Sequence, residues 1–215
     1  KKTFQNSFSN PLQVVYSIGV ISLSEISLIG HIKVHSQTKI IVESSALLKD
    51  VILVAPEIVI KNGVKGRFQA FASKNLAVGK NCELSYPSAL ILQKKETSLD
   101  NDTKSKAHYG IRINTNSTIE GVVLFLDATK QNNYKPQLLI EANSIVKGEV
   151  YCTQNLELKG TVYGSVFTNN FIATQSGSIY QNHIYNASIL VDDLPTEYVG
   201  LSFKNTKKGV MKWLY

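Results

Sequence analysis

The chain has 215 residues, 43% of them hydrophobic and 18% charged, which is enough apolar material for a sizeable core and too little charge for a disordered polymer. Its formal net charge of +7 raises nucleic acid, anionic lipid and acidic polysaccharide as partners. The lysines argue against the first. Lys49, Lys65, Lys80, Lys147 and Lys159 stand singly at turn positions, and only Lys204, Lys207, Lys208 and Lys212 cluster, so the pattern is that of solvated strand edges and no nucleic-acid partner is expected.

Taken along the chain, the sequence repeats one small unit: an aliphatic residue, a polar or aromatic one, then usually Gly or Asp, followed by a short alternating stretch. Copies occur at Leu28-Ile29-Gly30, Leu48-Lys49-Asp50, Val64-Lys65-Gly66, Leu84-Ser85-Tyr86, Ile119-Glu120-Gly121, Val146-Lys147-Gly148, Val162-Tyr163-Gly164 and Ile179-Tyr180-Gln181. Their third positions are separated by steps of 20, 16, 20, 35, 27, 16 and 17, so the base period is 16 to 20 residues. The two long steps contain polar insertions, 93–109 and 128–136, that read as surface loops.

A second strand follows within several units, at Ile58-Val59-Ile60, Leu76-Ala77-Val78, Leu156-Glu157-Leu158 and Phe171-Ile172. Short strands bent at Gly, Asn or Asp corners are what a coil of this period requires. Alternation predicts Val150, Cys152, Leu156, Leu158 and Val162 inside, with Glu149, Tyr151, Glu157 and Lys159 outside. The expected fold is therefore all-β, a single-stranded right-handed β-helix (β-solenoid) of about eight irregular rungs over residues 1–191. Residues 192–215 are expected to cap it, with a short helical turn from Asp192 and an apolar strip from Val210 to Tyr215 over the last rung.

The segment Ser144 to Ile179 (SIVKGEVYCTQNLELKGTVYGSVFTNNFIATQSGSI) resembles the bactofilin or polymer-forming type of right-handed β-helix. The Leu194-Pro195 to Leu201 run, with its Lys212-Trp213-Leu214 ending, is similar to the tails of envelope-associated β-solenoid proteins of the Bacteroidetes. The resemblance implies a non-enzymatic protein that polymerises end to end, and a membrane tether upstream of Lys1.

Chemistry-bearing residues are sparse. Cys82 and Cys152 fall at different points of the repeat and are expected as separate buried thiols rather than a disulfide. His31 and His35 lie on one side of an extended stretch but about 13 Å apart, too far to share a metal. Asp100 and Asp102 share a loop with four lysines, and Asp50 sits at a corner, as a turn residue does. Neither a catalytic constellation, a metal set nor a cofactor motif is expected.

The candidate ligand-binding residues are Tyr151, Tyr163 and Tyr180, which face outward, Tyr163 and Tyr180 at the same position of consecutive units, so that they would stack as a ladder able to take sugar rings. The expected function is a non-catalytic scaffold or assembly protein of the bacterial cell envelope, extracytoplasmic or membrane-associated on the cytoplasmic side, partnered by itself or by an envelope protein or polysaccharide. The alternative is a carbohydrate-binding or carbohydrate-active β-helix.

Overall fold

A computed structural model describes residues 2–94, 109–129, 134–191, 194, 198, 200 and 201. Every regular element in it is a strand. In chain order these are β1 (Lys2–Asn6), β2 (Gln13–Ser17), β3 (Ile21–Leu23), β4 (Ile26–Gly30), β5 (Ile32–Ser36), β6 (Lys39–Val42), β7 (Leu47–Ile60) and β8 (Lys65–Val78). There follow β9 (Glu83–Gln93), β10 (Ile111–Ile113), β11 (Thr118–Leu126), β12 (Leu138–Ile140), β13 (Ile145–Leu158), β14 (Thr161–Gln175), β15 (Ser178–Gln181) and β16 (Ser188–Leu190).

The strands form because aliphatic residues recur at every second position. In β11 (TIEGVVLFL) burial alternates residue by residue, with Ile119, Val123 and Phe125 fully enclosed. All pairings except one are parallel, and the register places like side chains together. One aliphatic column runs Val15, Val34, Leu53, Ala70, Leu90, Val123, Val150, Val166, and a second runs Ile21, Ile40, Ile58, Leu76, Ile111, Leu138, Leu156, Phe171. Cross-strand contact within such columns is the main source of sheet stability.

The hydrogen bonds close on themselves. β8 bonds β9 through Lys65–Ala72 and β10 through Leu76–Val78. β13 does the same, bonding β11 through Ile145–Cys152 and β12 through Leu156–Leu158. With the β9–β11 and β10–β12 pairings, β8, β9, β11, β13, β12 and β10 form a closed, six-stranded, all-parallel β-barrel. The other strands lie outside it: β7 runs along β8, with β1 to β6 beyond, and β14 runs along β13, with β15 and β16 beyond.

This corrects the expected right-handed β-helix of about eight open rungs, and with it the resemblance to bactofilin-type and envelope β-solenoids. The repeat dictates a parallel register between successive copies, which an open coil and a closed ring share. Closure is decided by the two interruptions, 94–110 and 127–137, each of which splits a strand pair. The near strands β9 and β11 then bridge the first halves of β8 and β13, and the far strands β10 and β12 bridge the second halves. Most of the first insertion, 95–108, and residues 130–133 of the second lie outside the described residues, as do the acidic pair Asp100 and Asp102 and His108.

Glycines act where strands approach most closely. Gly121, Gly148 and Gly164 stand in register, at φ of 140°, 144° and 135°. A Cβ on Gly148 would overlap the carbonyl oxygen of Gly121. Asp50 takes φ 60° at the equivalent bend in β7 and ion-pairs with Arg67 at 2.6 Å, so its turn role holds.

The expected cap falls mainly on residues outside the described set, including the proposed turn from Asp192 and the strip from Val210 to Tyr215. Of its described members, Tyr198, Gly200 and Leu201 lie along the flank of β9, β11 and β13. Tyr198 packs 6.0 Å from the Tyr86 ring, and the Leu201 amide donates to Glu149 Oε2 at 2.7 Å.

Candidate functional site

The three tyrosines do not form a ladder. Tyr163 stands in register between Lys147 and Leu190. Tyr180 is on the far arm of a hairpin, because Ser176 (φ 51°) and Gly177 (φ 80°) make a two-residue turn with both central residues left-handed, which reverses the chain. Tyr180 therefore opposes Ala173, and its ring meets His183 at 5.9 Å. Tyr151 packs against Phe167 at 6.1 Å. The stacked sugar platform expected from the repeat is thus absent, and the reason is the Ser-Gly reversal.

A different group of side chains converges beside β12 and β13. Glu157 was expected outside, next to Glu149, yet it is 2% exposed, and the two glutamates lie in different halves of β13. Glu157 Oε1 lies 3.3 Å from the Lys159 ammonium without hydrogen-bond geometry. Lys159 also reaches Glu141 at 3.8 Å, and Glu141 accepts a hydrogen bond from Arg112 at 2.8 Å. The Tyr109 ring covers the Arg112 guanidinium at 5.7 Å. Burial, and secondarily the charge of Glu157, pushes the Tyr109 phenol above its ordinary pKa. Two carboxylates and two cations make the group neutral as a whole.

Against this network opens a cavity of about 400 Å³, lined by Asn143, Glu157, Lys159, Thr174, Tyr185 and Asn186 with Ala142, Leu158 and Ala173. Asn143 (φ 60°) and Asn186 (φ 52°) hold left-handed turn conformations at its rim, as Asn does more readily than most residues. No element of the repeat marks Tyr185 or Asn186. The available signal was an Asn in each of two turns flanking the β13–β14 segment, at 143 and 186.

A second feature is the outer edge formed by β1, β2 and β3. Each pairs on one side only, with β4, β5 and β6. Phe4 is 45% and Val15 40% exposed, although their register partners Leu28 and Val34 are enclosed. The aliphatic column that begins at Val15 is thus uncovered at this end. Phe8, Val14, Tyr16, Ile18 and Val20 add exposed apolar surface, and residues 3–24 contain no Asp, Glu, Lys, Arg or His.

The remaining reactive groups are separate. Cys82 and Cys152 are free, enclosed thiols, as expected; burial raises both pKa values, that of Cys152 to about 11. His31 donates through Nδ1–H to the Asn10 carbonyl at 2.9 Å and stacks on Phe8, while His35 meets Tyr16 edge-on. No group of three His, Cys, Asp or Glu that could hold a metal ion occurs among the described residues. Comparison with protein-family models, with curated proteins and with solved structures finds no match to this chain.

Proposed function

We propose that the protein is a non-catalytic scaffold component that assembles with a second copy of itself through the β1–β2–β3 edge. The observation that carries this reading is an open sheet edge that exposes large apolar side chains and, after Lys2 at the start of β1, bears no charge as far as Ser24. Open edges normally carry lysine, proline or a bulge that blocks further pairing. Here 22 consecutive residues, 3–24, have no charge, and the column end at Phe4 and Val15 lies bare. Exposed apolar side chains gathered at one open edge mark it for interaction with another surface.

The second copy meets the edge across a two-fold axis. The opposite end of the molecule is built differently: β16 covers Thr161–Tyr163 of β14, and β15 crosses Ile172–Gln175 in the antiparallel sense. A head-to-tail contact would therefore bring unlike edges together, whereas an edge meeting its own copy pairs antiparallel and closes as a dimer. The test is sedimentation velocity over a concentration series with the wild type and Val15→Lys. The wild type is expected as a dimer and the variant as a monomer with unchanged circular dichroism. A wild type that stays monomeric to millimolar concentration, or a variant that dimerises equally well, overturns the reading.

A further inference from the structure

We infer that the cavity beside Lys159 and Tyr185 is a binding site for a neutral sugar, independent of the edge contact. Its volume, about 400 Å³, falls in the range of small-molecule sites. Its chemistry is specific in three respects.

First, it offers exposed polar groups that no described neighbouring residue engages. The side chains of Asn143, Thr174 and Asn186 make no hydrogen bond to any described residue, and they come from three separate segments: the β12–β13 turn, β14 and the loop before β16. Amides and a hydroxyl that both donate and accept match the vicinal hydroxyls of a pyranose.

Second, Tyr185, 47% exposed, supplies an aromatic face at the same rim, and the apolar face of a sugar ring packs on such a surface.

Third, the charges on the wall are already balanced. Lys159 lies between Glu157 and Glu141, and Arg112 pairs with Glu141. An acidic or basic ligand would face an opposing charge of each sign, whereas a hydroxyl can accept from Lys159 without disturbing the network. The buried Glu157 Oε1, which receives no hydrogen bond, is the polar atom on this wall that a bound donor would satisfy. Glu157 and Thr174 stand on the paired strands β13 and β14, which fix that wall, while Asn143, Tyr185 and Asn186 reach it from turns.

The experiment is isothermal titration of the full chain with cellotetraose, mannotetraose and chitotetraose, with tetragalacturonate as the acidic comparator. At least one neutral probe is expected to bind with millimolar or better affinity, and Tyr185→Ala is expected to weaken it at least tenfold. Thr174→Val is expected to weaken it several-fold, both variants unfolding at the wild-type urea midpoint. Failure of all three neutral probes to bind at 10 mM, binding of the acidic comparator alone, or binding unchanged in Tyr185→Ala overturns the inference. Because Val15→Lys does not touch this wall, its sugar affinity is expected to equal that of the wild type, whatever the outcome of the dimer test.

Discussion

Replacing Gly148 by Ala tests how the closed wall is held together. Gly148 sits at φ 144°, a conformation in practice reserved for glycine, and the strain of forcing an L-residue into such a region is about 1–3 kcal/mol. Space is the second obstacle. The new Cβ would fall well inside the 3.0 Å that Cβ contacts keep, against the carbonyl oxygen of Gly121 on the paired strand β11, and would lie 3.0 Å from the Tyr198 ring. Backbone on a paired strand cannot swing aside as a side-chain tip does, so relief requires the two strands to part locally. That loses one or two ladder hydrogen bonds at about 1 kcal/mol each. The expected total is about 2–5 kcal/mol, read as a lower midpoint in equilibrium urea unfolding. Gly63→Ala is the control: Gly63 also has positive φ, 73°, but nothing lies within 4 Å of its Cβ position, so only the backbone cost of about 1–2 kcal/mol is expected. A Gly148→Ala loss below 1 kcal/mol, or one equal to that of Gly63→Ala, would refute the close-approach argument.

Two further outcomes follow from buried polar groups. The Cys152 thiol, raised to about 11 by burial, keeps its proton in the folded state after an unfolded thiol has lost it. Its contribution is therefore present below pH 9 and lost as pH rises from about 9 to 11, an effect of about 2–3 kcal/mol. Urea midpoints measured from pH 8 to 11 should fall less steeply in Cys152→Ala than in the wild type, and parallel slopes would count against it. Lys159→Met removes the cation from the enclosed Glu157 carboxylate. Because Lys159 is itself 36% exposed, the expected loss is about 2 kcal/mol rather than the larger figure for a fully buried pair. Thermal unfolding of Glu157→Gln/Lys159→Met should recover most of that loss.

Local features were legible to the extent that they depend on near neighbours in the chain. The alternation of Val150, Cys152, Leu156 and Val162 identified core positions, since a strand must place successive side chains on opposite faces. Gly121, Gly148 and Gly164 stood out as equivalent corners, and they are stacked in register. The bend at Asp50 and the separation of the two cysteines followed from the same spacing. The candidate sugar site was not legible, because its side chains come from turns that share no repeat position.

What the sequence by itself determined is strand content, the inward aliphatic positions and parallel register, because these rest on periodicity and on the few residues that tolerate a left-handed bend. Tertiary structure alone decided three things. It closed six strands into a barrel where the repeat pattern pointed to an open coil, since two insertions left short strands to complete the circuit. It carried Tyr180 away from Tyr163, because Ser176-Gly177 reverses the chain. It enclosed Glu157 on a face that alternation assigned to solvent, because a residue's exposure depends on what later packs over its face, and periodicity holds no information about that.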